Sequence, residues 1–81
     1  MKKENEFRTS EYWMAVTFLT LGEELIDIER NNNSKRAVFV FKNSLILNKH
    51  IEDFRRGKIL IEPTKLFLQH RLLKSRLYSD Y

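Results

Sequence analysis

The side chains best suited to chemistry in this sequence are two histidines and a few paired acids. His50 and His70 are separated by nineteen residues, without the partner spacing of a zinc site. A lone histidine on a helix edge reads as a polar surface residue rather than a ligand or a base. Glu52 and Asp53 are adjacent, and a helix sets neighbours about 100° apart, which keeps two carboxylates from sharing one site. Glu23 with Glu24, and Asp27 with Glu29, can hold a divalent cation only where further oxygens converge. Gly22 and Gly57 are the only glycines, so no loop is built to cradle phosphates. Ser10, Ser34, Ser44, Ser75 and Ser79 have no nucleophile-elbow context. There is no cysteine, which excludes disulfides and thiolate metal sites. The expectation is a protein that works by contact, with no catalytic residue, cofactor or metal.

Charge suggests what it contacts. The net charge is +4 over 81 residues. Residues 1–40 hold six Lys/Arg against seven Asp/Glu, and residues 41–81 hold nine against four, so the second part carries +5 and the first −1. A basic half attracts nucleic acid or an acidic protein face. The sharpest cluster is FRRGK, with Arg55, Arg56 and Lys58. Lys42, Lys49, Arg71, Lys74 and Arg76 join it in a phosphate-facing patch if the fold brings them together. The plainer reading of Arg55 and Arg56 is charge that complements a helix C-terminus. Tyr12, Trp13, Phe39 and Phe41 are base-stacking types, though such aromatics more often build a core.

These residues need elements to carry them. Residues 1–8 read as a flexible tail and 9–79 as one globular domain. Thr9 or Ser10 caps a first helix through YWMAVTFLTL, with Glu11 in its first turn and Gly22 at its stop. ELIDIER alternates Ile26 and Ile28 with Asp27 and Glu29, the pattern of a half-buried strand. NNNSK is turn material. RAVFVFK is apolar on both faces, Ala37, Phe39 and Phe41 against Val38 and Val40, and should be the more buried strand of a hairpin. Asn43 or Ser44 caps a second helix with Leu47, Ile51 and Phe54 on one face, stopped at Gly57. KILIEP is a short third strand or an extended connector. Pro63 opens a third helix, with Glu62 as its cap. The fold class is therefore α+β: an N-terminal helix, an antiparallel hairpin with residues 59–61 as a possible third strand, and two further helices.

The third helix, TKLFLQHRLLKSRLY, carries more apolar surface than one core contact uses. Leu66, Leu73 and Leu77 form one stripe, Leu68 and Leu72 a second, and Phe67 with Tyr78 a third side. Lys65 and Arg76 lie on one flank, Arg71 and Lys74 on another. A groove-reading helix needs its bases along one exposed face, whereas these edge the apolar stripes, where long stems cover apolar surface. The helix therefore reads as packing first. The surplus residues Phe67, Leu68, Leu72 and Tyr78 are candidates for a protein interface.

The order of RTSEYWMAVTFLTLGEELIDIER, RAVFVFKNS and IEDFRRGKILIEPTKLFLQHRLLKSRLYS resembles a small domain family of unknown function found widely in bacterial and phage genomes. The resemblance covers about residues 7–79. Its pieces are the Thr-Ser-acidic helix start, the glycine before the first strand, the Val-Phe-Val-Phe strand, the Gly-Lys after an amphipathic helix and the closing Leu-Lys-Ser-Arg-Leu-Tyr. It implies a stand-alone module, often on phages or mobile elements, and no catalytic residues to carry over. NNNSK looks longer than the usual hairpin turn of that family.

Two partner classes follow. The first is nucleic acid, met by Lys42, Lys49, Arg55, Arg56, Lys58, Arg71, Lys74 and Arg76. The second is a protein, from host or phage, or a second copy of the chain, met by Phe67, Leu68, Leu72 and Tyr78. MKKENEFRTS lacks the apolar run of a signal peptide, and AVFVF is too short to span a bilayer. The expected location is the cytoplasm, with no membrane partner.

Overall fold

The strand that is apolar on both faces lies in the middle of the sheet. The computed structural model describes residues 5–30 and 36–79. The chain runs β1 (Glu6–Thr9), α1 (Tyr12–Thr20), β2 (Leu25–Arg30), β3 (Ala37–Lys42), α2 (Leu45–Arg55) and α3 (Pro63–Ser79). The sheet has the order β1-β3-β2, antiparallel throughout. The described residues thus form a single α+β domain of three helices and three strands. NNNSK lies outside the described residues, as do residues 1–4 of the expected tail.

Two expectations give way here. Residues 6–8, read as tail, belong to β1, which pairs Phe7 with Phe41 and Arg8 with Val40. The third strand therefore comes from the chain's start. Of the two readings left open for residues 59–61, the connector is the one found: they join α2 to α3 without forming a strand. Ile26 is also displaced from the face of Ile28. A register shift between Leu25 and Asp27 puts Leu25 opposite Phe41 and Ile28 opposite Phe39, and Ile26 is left exposed. Such a bulge sets two residues of one strand against one of its neighbour and breaks simple alternation.

The inner sheet face carries Phe7, Leu25, Ile28, Phe39 and Phe41 into a core shared with Phe18, Leu47, Ile51 and Leu73. On the other face Val40 is only 1% exposed. A charged clamp crosses β3 on that side: Arg8 on β1 donates from Nε and Nη2 to Glu29 on β2, at 3.3 and 3.0 Å. Glu6 adds a second carboxylate 3.0 Å from Arg8. These partners, Glu29 first, raise the Arg8 pKa above its ordinary value.

The middle of α1 is buried on every side. Met14, Ala15, Val16, Thr17 and Phe18 are all buried, and five successive helical residues pass through more than a full turn. Thr17 is tolerated there because its hydroxyl donates to the Trp13 carbonyl at 2.7 Å. Phe18 meets Phe7, Phe41 and Phe54 with ring centroids 5.6–6.2 Å apart.

The helix ends follow local rules. Gly22 and Gly57 take φ of +92° and +70°, the region where a side chain is costly. After each, the next residue's N–H closes the helix: Glu23 bonds the Phe18 carbonyl and Lys58 the Asp53 carbonyl. Ser44 caps α2, its hydroxyl accepting from the Leu47 N–H at 3.0 Å. Glu62 caps α3, accepting from the Lys65 N–H at 3.0 Å. α1 differs from expectation. Its N-cap is Glu11, which makes no side-chain cap bond, and the Thr9 hydroxyl accepts from the Glu11 N–H one step earlier.

Candidate interaction surface

α3 is fixed to the body by one stripe. Leu73 is 2% exposed, and Leu66 and Leu77 pack partly buried against the core. His70, one turn from Leu66 and Leu73, completes this inner side. Its Nδ1 lies 2.8 Å from the Tyr12 hydroxyl, which donates to the His70 carbonyl at 3.1 Å. Both contacts are satisfied if Nδ1–H donates to the Tyr12 oxygen. Burial, aided by the nearby Tyr78, raises the Tyr12 pKa. Trp13 stacks on the His70 ring at 4.9 Å and 33°. At the far end Arg30 donates to the Leu77 carbonyl at 2.6 Å, satisfying an acceptor the last helical turn leaves over.

The remaining side of α3 faces out. Phe67 is 60% exposed, Leu68 47%, Leu72 55% and Tyr78 64%. At 3.6 residues per turn, Phe67, Arg71, Lys74 and Tyr78 form one row and Lys65, Leu72 and Arg76 another, with Leu68 and Ser75 between them. Lys65, Arg71, Lys74 and Arg76 are exposed. The outer face is thus apolar in the middle and basic at both margins, and α3 contains no acidic residue. At its N-terminal end, Thr64, Lys65, Phe67, Leu68 and Arg71 surround a shallow depression of about 280 Å³. Half-exposed Trp13, lying on His70, continues the apolar surface onto α1. Trp13, weighed as a base-stacking type and favoured as core, reaches the surface in the fold; a helical stripe does not reveal where its neighbours end.

The eight candidate phosphate-contacting bases are all exposed, but they lie on four segments. Lys42 ends β3, Lys49 and Arg55 are on α2, Arg56 and Lys58 follow α2, and Arg71, Lys74 and Arg76 are on α3. Lys49 pairs with Asp53 at 3.6 Å and Arg56 with Glu52 at 2.7 Å, each one turn away. The two acids judged too divergent for a shared site thus serve separate bases.

Neither histidine is a simple surface residue. His50 Nδ1 lies 2.6 Å from a Glu23 oxygen, and both side chains are largely buried. This contact ties α2 to the segment between α1 and β2. Among the described residues no three His, Asp or Glu side chains gather as a metal site, and no helix is long and apolar enough to cross a membrane.

No curated protein and no solved structure matches the chain. A family model does match, over residues 4–79, so the chain belongs to the family described as Domain of unknown function (DUF5659).

Proposed function

We propose that this DUF5659 member is a non-enzymatic binding module that docks a protein partner on the outer face of α3. The observation that carries this reading is the exposure of four large apolar side chains, Phe67, Leu68, Leu72 and Tyr78, on one helix whose opposite stripe already satisfies the core. Contiguous exposed apolar surface edged by charge is what protein docking sites present. A role as a regulator or assembly subunit carried by a phage or mobile element, acting in the cytoplasm, fits a small module that works by contact. Its support is the sequence resemblance alone.

A second reading, nucleic-acid binding, is favoured by one observation: α3 offers four bases and no acid. Against it, Leu68 and Leu72 occupy the middle of that face and give a phosphate backbone nothing to bond.

The test is affinity capture from a bacterial lysate, with and without nuclease, using the wild-type chain and a Leu68→Ser/Leu72→Ser variant. A protein recovered with nuclease present and lost with the variant supports docking. Recovery that vanishes with nuclease and is unchanged in the variant supports the nucleic-acid reading and removes the first.

A further inference from the structure

We infer that residues 58–62 are a docking strand for a second copy of this chain, the two segments pairing antiparallel across a two-fold axis at Leu60. This goes beyond the α3 reading and uses a different segment, so either can fail alone. The segment is KILIE, set between Gly57, at φ +70°, and Pro63, which opens α3. No turn or bend interrupts it, and its exposure alternates: Lys58, Leu60 and Glu62 are exposed, Ile59 and Ile61 half-buried. That period of two is the habit of a pleated strand. Leu60 is 91% exposed, more than any other large apolar side chain among the described residues. Ile59, Leu60 and Ile61 make no backbone hydrogen bond among the described residues. A straight segment with open N–H and C=O groups is a template for another strand.

The order of its residues says which strand. Read about Leu60, KILIE is its own antiparallel complement. Lys58 falls opposite the partner's Glu62, Ile59 opposite the partner's Ile61, and Leu60 opposite the partner's Leu60. Opposite charges set directly across an antiparallel pair stabilise it, and the two-fold axis makes each contact twice. A parallel pairing in the same register sets like charges together at both ends. Glu62 also caps α3, its Oε1 accepting from the Lys65 N–H, and that bond above all holds its carboxyl below the usual range. A carboxylate accepts up to about four hydrogen bonds, so an exposed, charged Glu62 can cap its helix and still meet a lysine. The β2 edge of the sheet is a poorer template. Asp27 Oδ1 already accepts from the Ile28 N–H at 2.8 Å, and a register shift interrupts the strand. Five residues a side make a small interface, at the transient end of the size range, below about 1,200 Å².

The experiment is sedimentation equilibrium of the full chain from about 10 µM to about 1 mM, the range suited to a weak interface. The wild type should pass from monomer towards dimer across it. Leu60→Asp, Lys58→Glu and Glu62→Lys should each weaken the dimer by about tenfold or more. Lys58→Glu mixed with Glu62→Lys should restore it, because both ends of the mixed pair again set a lysine against a glutamate. All three positions are exposed, and circular dichroism verifies that each variant is folded. Should Glu62→Lys unfold for want of its cap, Leu60→Asp and Lys58→Glu decide the matter without it. A wild type that stays monomeric at the highest concentration overturns the proposal. So does a dimer indifferent to Leu60→Asp and Lys58→Glu. A dimer dissolved only by Leu68→Ser/Leu72→Ser would put the second copy on α3 and overturn it as well. Folded charge variants that stay apart when mixed overturn the antiparallel register, and with it the pairing. The α3 reading is judged separately, by the capture experiment above.

Discussion

α1 and α3 are both rich in large apolar side chains and use them in opposite ways. α1 has no charged residue and is buried through five successive positions. α3 has four bases and, among its described side chains, only Leu73 fully buried. Position in the fold separates them. α1 packs against β1, α2 and α3, whereas α3 has α1 on one side and water on the other. The same residue types therefore become structural mass in the first helix and contact surface in the second.

That contrast can be broken most forcefully at Phe18, which is fully buried. Phe18→Ala should cost about 3–5 kcal/mol, a large share of the roughly 5–15 kcal/mol available to a small domain, and urea unfolding should show it as a collapsed midpoint. The contrast is sharpest between neighbours on α3. Leu73→Ala should cost about 2–4 kcal/mol, while Leu72→Ala should stay within about 0.5 kcal/mol. Equal losses at 72 and 73 would mean that the outer stripe is not a free surface. Gly22→Ala, at the end of α1, should cost about 1 kcal/mol for the left-handed backbone alone, since an added Cβ meets nothing within 4 Å. Urea unfolding measures this too.

A further effect joins the two helices. Tyr12→Phe removes the bond to His70 and should cost about 1 kcal/mol at neutral pH. The sign of its pH dependence follows from the raised Tyr12 pKa. Below the unfolded value of about 10 the phenol is protonated in both states and its contribution is complete. As pH rises from there towards the folded value, the unfolded chain loses its proton first, and the contribution fades. The difference in Tm between wild type and Tyr12→Phe should therefore shrink on the alkaline side, and a widening gap would contradict the burial of this hydroxyl.

What was legible in the sequence was local. Gly22, Gly57, Ser44 and Glu62 mark helix ends through rules that span four or five residues, and β3 shows its central place by being apolar on both faces. The failures were decided at long range. EFRT holds one apolar residue, Phe7, and becomes a strand because β3 has an edge to offer. ILI, left open between strand and connector, has better strand residues but pairs with no strand among the described residues. Ile26 fits the alternation until the bulge moves it. On α3 the wheel separated the stripes, and the burial of the Leu66, Leu73 and Leu77 stripe needed only one neighbour. The reach of Trp13 onto the surface, and the diversion of Lys49 and Arg56 to acids on their own helix, depended on rotamers and on how far α1 is covered.

The enclosure of α1 has a consequence for how the polypeptide leaves the ribosome. Phe7 finds Phe41 only after 34 further residues are made, and Tyr12 finds His70 only after 58. A nascent chain halted before its final segment holds a wholly greasy rod with one flank wet, a state that neither the sheet nor α2 can repair. α1 therefore has its full covering only once α3 is in place beside it.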